Sequence, residues 1–280
     1  MTITVPIVVA QNDALTMNGG SVLAMAGKDC VAVAVDKRFG SGSFLVQIRH
    51  RPVLHFADST MVAFTGLEGD VQSLRVELAA QVALKYSRGL GFGGGSAMGR
   101  SVSSTAVASL LSHVLYHRKR APYYVEPLVI GLVPDGWLDD EVVISSGDDN
   151  ITNKYDVASN DESSTGDGAA ADSVAIASKG ICTTTATKRR KYRPYLCSMD
   201  MIGAKSESKA FVCAGTASQS MYGTAEALWK PNLTADELVA VCGKAFLSAL
   251  ERDCLSGYGA ILCLLTPDGI VEYDLSGRSD

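Results

Sequence analysis

A chain of 280 residues and 29.4 kDa is long enough to bury one sizeable core, and we expect one main domain. With 47% hydrophobic and 20% charged residues, the composition is typical of a globular protein and excludes disorder over the whole chain. The net charge of -5 and the pI near 5.4 argue against a nucleic-acid or anionic-membrane partner, and no apolar run reaches the ~20 residues of a membrane-spanning helix.

The first clear structural signal is a β-hairpin. Residues Met1–Asn18 precede it, and we expect them to be a short leader that the chain keeps. Two apolar segments, Ser21–Ala26 and Cys30–Val35, flank the polar turn Gly27-Lys28-Asp29 and predict paired strands. The second strand is apolar throughout, which predicts burial on both faces, and Asp36-Lys37-Arg38 follows where it stops.

Strands and two helices continue the first half of the chain. Apolar residues at helical spacing predict a helix over Asp70–Tyr86, with Asp70 as its N-cap, and a second helix over Ser104–Arg118. Phe39–Gln47 is rich in Gly and Ser and carries no strand prediction. Strands are predicted at Pro52–Phe56, Met61–Gly66 and Glu126–Val133.

The composition changes at Asp135–Lys191, where Asp, Ser, Thr, Gly and Ala dominate. Bulky apolar side chains vanish over Ser159–Ala171, so packing against a core is hard to argue there. We interpret the whole stretch as a surface insertion within a single domain that spans residues 19–280.

The remaining elements complete a layered pattern of strands, two helices, strands, two helices and strands. That order predicts an α+β fold, a four-layer αββα sandwich. Thr234 and Glu237 have the spacing of a capping box at the start of the last helix. The predicted segments are strands Tyr195–Met199, Ala210–Ala214, Ala260–Thr266 and Ile270–Tyr273, and helices Ser218–Trp229 and Thr234–Asp253.

Other residues of chemical interest favour structural roles. The seven cysteines are scattered and contain no C-x-x-C pair, which suits buried thiols in a reducing compartment. His113 and His117 lie four residues apart on a helix, but without a third ligand they indicate a polar helix face. Gly89-x-Gly91-x-x-Gly94 follows no strand and indicates a loop, and Lys188–Lys191 fits a nuclear import signal or a solvated loop end equally.

The hairpin resembles the opening of the β-type subunits of the proteasome core particle. In that family, cleavage of a Gly-Thr bond frees an N-terminal threonine, and a strand, a Lys-Asp-Gly turn and a strand ending in Ala-Ala-Asp-x-Arg follow. Here Lys28-Asp29-Cys30 lies on the turn and Val35-Asp36-Lys37-Arg38 at the strand end. Ala121–Pro127 and Leu196–Gly203 resemble segments of one non-catalytic type of these subunits. The resemblance covers Gly19–Leu275 apart from the insertion, and it implies the N-terminal nucleophile hydrolase fold.

The resemblance also assigns site positions. Family members attack with the threonine hydroxyl, use its freed amine as a base, and stabilise the alkoxide with a lysine. The family spacing places Gly20 at the nucleophile position, Pro52 at the lysine, and Ala214 at the serine of a Ser-Gly turn, so these three positions have lost their groups. The retained family positions are Asp36, Asp253, Ser256 and Gly257.

The resemblance implies a non-catalytic structural β subunit of the 20S proteasome core, with proteolysis at other subunits of this ATP- and ubiquitin-dependent machine. Expected partners are β subunits of the same and opposite ring and α-ring subunits, in cytoplasm and nucleus. Apolar residues such as Val125, Leu128 and Trp229 are expected on the contact surface.

Two alternatives to this function stay open: an active hydrolase with Ser21 as nucleophile, and a free-standing binding module. No cofactor is required. One further hypothesis is a structural Mg²⁺ near Asp253, Ser256 and Asp280. Carbonyls around the Asp253–Ser256 loop resemble a position where family members can hold such an ion, and the side chain and α-carboxylate of Asp280 would supply oxygen ligands across an interface.

Overall fold

A computed structural model of the chain describes Leu15 and residues 17–42, 44–48, 50–56, 59–87, 103–134 and 192–277. The predicted insertion, the glycine-rich segment at 89–94 and most of the predicted leader lie outside the described residues. All of the described residues belong to one compact unit.

Strands and helices alternate in the predicted order. The strands are β1 (Ser21–Ala26), β2 (Val31–Asp36), β3 (Arg38–Ser41), β4 (Phe44–Ile48), β5 (Val53–Phe56), β6 (Thr60–Gly66), β7 (Val125–Pro134), β8 (Tyr192–Met199), β9 (Lys205–Ser208), β10 (Phe211–Gly215), β11 (Ala260–Thr266) and β12 (Gly269–Leu275). The helices are α1 (Glu68–Ser87), α2 (Ser104–His117), α3 (Ser218–Leu228) and α4 (Ala235–Leu250).

The predicted hairpin forms the centre of the first sheet, whose order is β10-β1-β2-β11-β12. Its strands are antiparallel, with Val22 opposite Val35. Side chains alternate between the two faces of a strand, so Val22 and Ala24 point to one apolar cluster while Leu23 and Met25 point to the other. Both faces of the hairpin are therefore buried, as the apolar run of β2 predicted.

The second sheet, β5-β6-β7-β8-β9, packs against the first, and one apolar cluster fills the space between them. Helices α3 and α4 cover the outer face of the first sheet, and α1 and α2 contact the second. The predicted four-layer αββα sandwich is confirmed. The largest wholly buried side chains include Phe64, Met61, Leu74, Leu111 and Phe246, each of which typically contributes about 1.5–3 kcal/mol on burial.

Three short strands were not predicted. Strands β3 and β4 form a two-stranded sheet of their own, and β9 pairs with the edge of the second sheet. Every residue of β4 is exposed, so the alternation of apolar and polar side chains that identifies a half-buried strand is missing there. Strand β3 contains Gly and Ser, so its sequence also lacks a recognisable strand pattern.

Helix α1 begins earlier than predicted, and Asp70 is not its N-cap. The amide side chain of Asn18 accepts a hydrogen bond from the Glu68 N–H at 2.9 Å and so caps the helix from a distant part of the chain. Asp70 lies in the first turn, where its carboxylate accepts from the backbone N–H of Tyr124 at 2.9 Å. The capping box of Thr234 and Glu237 is confirmed at the start of α4.

The expected contact residues are inside the chain's own core. Val125 and Leu128 are wholly buried in β7, so the prediction that they form a contact surface is wrong. Trp229 packs on the cluster beneath α3 and α4, and its indole N–H donates to the carbonyl of Ala26 at 2.9 Å. A central strand with two covered faces is apolar for packing reasons alone.

The structure bears on two features that were considered from composition, membrane-spanning helices and the state of the cysteines. Among the described residues, no helix combines the length and the apolar character that crossing a membrane requires. Six of the seven cysteines are described, all six are free thiols, and five of them are buried. Cys254 is the exposed one.

Candidate functional site

The chain reaches β1 through two glycines whose backbone dihedrals favour glycine. Gly19 has a φ of 72° and Gly20 a φ of 103°, both in the region that side chains disfavour. A Cβ at Gly19 would lie 2.3 Å from the carbonyl oxygen of Leu255, so only glycine fits there. At Gly20 the nearest atom would be Oδ1 of Asp36 at 3.7 Å, so this position has space for a side chain that its backbone disfavours.

A pocket opens beside Gly20, and the three positions Gly20, Pro52 and Asp36 all line it. It is small, with a cavity volume of about 20 Å³, and is partly open to solvent. The structure thus brings together residues that are widely separated in sequence, as the resemblance implies for a nucleophile, a lysine and an aspartate. We call this the Gly20 pocket; its polar lining also includes Asn18, Arg38, His50, Thr65 and Glu68.

Asp36 is the buried carboxylate of the Gly20 pocket. Its Oδ1 accepts a hydrogen bond from the backbone N–H of Ser21 at 3.2 Å, whereas Oδ2 lacks a hydrogen-bond partner among the described residues. Burial raises the pKa of Asp36 to about 7, despite the opposing effects of the Ser21 and Gly257 N–H groups and of His50. Pro52 carries no charge, so it supplies no counter-ion for this carboxylate.

The Gly20 pocket also contains an ion pair that sequence reasoning missed. The Nε2 atom of His50 lies 3.1 Å from Oε2 of Glu68, and the His50 ring stacks on Phe39. Burial alone would raise the pKa of Glu68, but hydrogen bonds from His50 and Gln72 outweigh it and lower that pKa. The pair joins the start of α1 to the segment before β5, and no motif spacing in the sequence points to it.

Beside the pocket, four side chains and one backbone group form a buried chain of hydrogen bonds. The Ala217 N–H donates to Oγ of Ser21 at 3.0 Å, and Ser21 Oγ lies 2.8 Å from Oγ of Ser256. Ser256 Oγ lies 3.1 Å from Oγ1 of Thr216, which donates to the carboxylate of Asp253.

The number of hydrogens available limits which group donates in each of these hydrogen bonds. A hydroxyl has one hydrogen to donate, and Asp253 can only accept when ionised. Thr216 therefore accepts from Ser256 or, at 3.4 Å, from Ser21, the two serine hydroxyls share one hydrogen bond, and Ser21 accepts from Ala217. We call these residues the hydroxyl chain; it ties the first residue of β1 to the loop after α4.

The hydroxyl chain adds Thr216 to the site, close to the predicted vacated position Ala214. Ala214 lies in β10 opposite Val22 and contributes to the apolar cluster between the sheets. The hydroxyl that meets Asp253 and Ser256 belongs to Thr216, two residues further on. A hydroxyl that the resemblance did not assign is therefore present where strand β10 ends, and the assignment of Ala214 stays a prediction.

A search by family models matches the model described as "Proteasome subunit" to residues 16–137 and 178–265 of this chain. The chain belongs to the proteasome subunit family. The stretch between the two matched parts falls inside the predicted insertion, which stays a prediction because its residues are not described.

Curated relatives of this proteasome subunit align over nearly its whole length. It is 31% identical to proteasome subunit beta type-3-A of Arabidopsis thaliana, over 94% of this chain and 97% of that protein. It is 32% identical to proteasome subunit beta type-3 of Trypanosoma brucei brucei and 28% to that of Drosophila melanogaster, each over 95% of this chain and 98% of the relative. Beta type-3 is the subunit type that Ala121–Pro127 and Leu196–Gly203 resemble.

Family membership makes the sandwich an N-terminal nucleophile hydrolase fold. In this proteasome subunit the pocket beside β1 therefore holds Gly20, Pro52 and Asp36, and the adjoining loop holds Asp253 and Ser256. The carboxylates of Asp36 and Asp253 and the Ser256 hydroxyl are present. The pocket itself presents neither a hydroxyl at position 20 nor an ammonium at position 52.

The magnesium hypothesis at the loop after α4 stays a prediction, although the side chains described there are already hydrogen-bonded. Both carboxylate oxygens of Asp253 already accept hydrogen bonds, one from Thr216 and one from the Leu255 N–H at 3.0 Å. The Ser256 hydroxyl is engaged in the hydroxyl chain. Asp280, which the hypothesis also needs, lies outside the described residues, and no group of three metal-ligating side chains occurs within them.

Proposed function

We propose that this proteasome subunit is a non-catalytic structural β subunit of the core particle. In this proposal it forms part of the β-ring wall, contacts β subunits of its own and the opposite ring and subunits of the α ring, and leaves proteolysis to other subunits. The names of the curated relatives, proteasome subunit beta type-3, support this assignment. We place it in the cytoplasm and nucleus, which suits free cysteines.

The observation that carries the proposal is the chemistry of the Gly20 pocket. Glycine has no atom to attack a carbonyl carbon, and proline has no ammonium to stabilise an alkoxide. Losing one such electrostatic stabiliser typically lowers kcat by about 10²–10³, and binding interactions do not replace a missing nucleophile. The raised pKa of Asp36 fits the same interpretation, because burial drives this carboxylate toward its neutral form where position 52 supplies no ammonium, even though His50 opposes the shift.

The alternative, an active hydrolase that uses Ser21, meets two obstacles. The Ser21 side chain is wholly buried, and its hydroxyl already accepts from Ala217 and is hydrogen-bonded to Ser256. Ser21 also lies one residue along the strand from Gly20, which displaces it by about 3.3 Å and turns its side chain to the opposite face. An attack by Ser21 would require the hydroxyl chain to break first.

Covalent labelling of the intact assembly tests the proposal. We expect an electrophilic threonine-protease probe to modify other subunits of the same particle, which serve as the internal positive control, and to leave this chain unmodified. The intact mass of the chain should also show no cleavage between Gly19 and Ser21. A probe adduct on Ser21, or a chain that begins at Gly20 or Ser21, would overturn the proposal.

A variant at Ser21 distinguishes the proposed function from the alternative of an active hydrolase. Ser21→Ala should leave the labelling of every subunit unchanged if the proposal holds. If Ser21 is a nucleophile, the same substitution should abolish an adduct seen on the wild-type chain. The comparison is made on assembled particles, so that failure to assemble is visible separately from failure to react.

A further inference from the structure

The last turn of α2 brings two imidazole nitrogens together on an exposed surface. His117 is the final residue of α2, and His113 lies one turn before it. Their Nε2 atoms are 3.0 Å apart, and the rings meet edge to face with centroids 4.4 Å apart. Both residues are exposed. Sequence spacing alone could not show that both rings turn the same nitrogen toward one point.

We propose that His113 and His117 form a two-histidine site for a divalent transition-metal ion of the Cu²⁺ and Ni²⁺ class. Imidazole nitrogen is a ligand for these ions, and two ligands from one helix chelate without any change of backbone. Water completes the coordination, since the described residues offer no third metal-ligating side chain at this site. The site is independent of the Gly20 pocket and of the proposed function.

The nitrogen separation is close to the one that neighbouring ligands of Cu²⁺ and Ni²⁺ have. With metal–nitrogen bonds of about 2.05 Å, nitrogens 3.0 Å apart subtend an angle of about 94° at the metal. That angle is near the 90° between neighbouring ligands of square-planar and octahedral ions, which Cu²⁺ and Ni²⁺ adopt. A tetrahedral Zn²⁺ site needs about 109°, and therefore nitrogens about 3.3–3.4 Å apart.

The charges around the two histidines permit a cation. The C-terminal end of a helix carries partial negative charge from its last carbonyl groups, which favours positive charge there. Lys119 directs its ammonium over the Tyr116 ring at 3.8 Å. Arg118 lies over the Tyr123 ring at 4.7 Å and 3.6 Å from the Glu77 carboxylate. The Arg118 and Lys119 side chains next to the site thus contact other groups, and solvent screens the charge of the exposed Arg120.

The proton inventory of the site is simple. In the metal-free protein one Nε2 carries a hydrogen and donates it to the other, so one ring holds its proton on Nδ1 and the other on Nε2. Metal binding needs a lone pair on both Nε2 atoms. The donating ring therefore shifts to the Nδ1–H tautomer, its proton is replaced through solvent, and no net proton is released when both rings begin neutral.

Nickel binding to the assembly that contains the chain tests the proposal. Ni²⁺ is the probe because Cu²⁺ oxidises thiols such as the exposed Cys254. Equilibrium dialysis with excess Mg²⁺, which prefers oxygen ligands, compares wild type with His113→Gln, His117→Gln and the double variant. His55→Gln is the matched control, because His55 is an exposed histidine on β5 with no histidine beside it.

We expect each single substitution to weaken Ni²⁺ binding by about tenfold or more, since the second ligand binds with the advantage of an intramolecular contact. The double variant should bind Ni²⁺ at most about twofold more weakly than either single variant, because one remaining imidazole adds little. His55→Gln should bind as wild type does. The proposal is overturned if His113→Gln or His117→Gln binds Ni²⁺ as well as wild type, or if His55→Gln weakens binding equally.

Discussion

The backbone N–H of Ser21 donates to Oδ1 of Asp36 at 3.2 Å, while the other oxygen of that carboxylate has no partner among the described residues. One contact therefore aligns the start of β1 with the end of β2, and the same carboxylate is left poorly satisfied. A buried polar atom without a hydrogen bond typically destabilises a fold by about 1–3 kcal/mol. The open end of this hairpin is thus tied by a residue that is itself unfavourably placed.

The first prediction concerns pH and Asp36. The folded pKa is raised to about 7 from an ordinary value of 3.8, so between these values the folded chain keeps a proton that the unfolded chain has lost. The free energy of unfolding should therefore fall as pH rises from about 4 to 7, by about 4 kcal/mol at most, and the loss is complete above pH 7.

Asp36→Asn tests this prediction. An amide can still accept from Ser21, but it has no charge to lose, so the variant should lack this pH dependence and gain stability over wild type at pH 8. Thermal unfolding at pH 5 and pH 8 gives the comparison. Asp268→Asn, in the exposed turn before β12, is the control. An unchanged pH dependence in Asp36→Asn would contradict the assigned role.

The second prediction concerns the hydroxyl chain. Ser21→Ala removes the hydroxyl that Ala217 and Ser256 both use, and leaves the Ala217 N–H unsatisfied and the Ser256 hydroxyl with one partner fewer in a buried site. We expect a loss of about 1–3 kcal/mol in the free energy of unfolding. Ser73→Ala, which removes an exposed hydrogen bond to Gly69, should change stability by less than about 0.5 kcal/mol. Equal effects of the two substitutions would show that the hydroxyl chain adds nothing.

The third prediction separates backbone strain from steric overlap at the approach to β1. Gly19→Ala places a methyl group 2.3 Å from the Leu255 carbonyl oxygen at a φ of 72°. Gly42→Ala has a similar φ of 58° and meets no atom within 4 Å. The control should lose only the strain of a left-handed residue, about 1–2 kcal/mol, whereas Gly19→Ala should lose clearly more. Thermal unfolding of both variants measures the difference, and equal losses would refute the close approach.

The fourth prediction rests on the proposed function and concerns strand β4. Phe44 is 77% exposed and Val46 60% exposed, and β4 pairs only with β3 among the described strands. We expect this surface to be covered by another proteasome subunit. Val46→Asp should leave folding unchanged within about 0.5 kcal/mol but lower incorporation into the assembly severalfold.

Val271→Asp is the matched control for that experiment, because Val271 is 47% exposed on β12 and has fewer exposed apolar neighbours in its strand. The fraction of chain in assembled particles is measured by native electrophoresis and mass spectrometry. Equal incorporation of the two variants would show that β4 is not a contact surface.

Sequence periodicity found the parts of the fold that a buried core dictates. Strand β1 was predicted to the residue, because its apolar run stops where glycines and charges begin. The sequence does not predict strand β4, because β4 has no buried face. It points to Asp70 as the N-cap of α1, because the true capping group, Asn18, lies far away in sequence.

The candidate site shows the same contrast between features that a local sequence pattern reveals and features that depend on packing. Counting along one chain segment found Gly20 and Asp36, because they lie on one hairpin whose length is set by its strands. Counting did not point to Thr216, which follows the end of β10 and donates to Asp253. The pair of His50 and Glu68 depends on how β5 and α1 pack, and neither local propensity nor spacing contains that information.

The two glycines before β1 also bear on whether this subunit could regain activity by mutation. A hydroxyl-bearing side chain at position 20 would have to adopt a φ of 103°, so the substitution that restores the nucleophile is itself strained. Restoring an ammonium at Pro52 would replace a buried residue whose carbonyl accepts from Phe64 at 2.8 Å, and a side chain gained at one position offers no advantage without the other. Each intermediate would be less stable and still inactive. Under the proposed function, a return to nucleophilic chemistry would therefore need two substitutions, each of which is unfavourable alone.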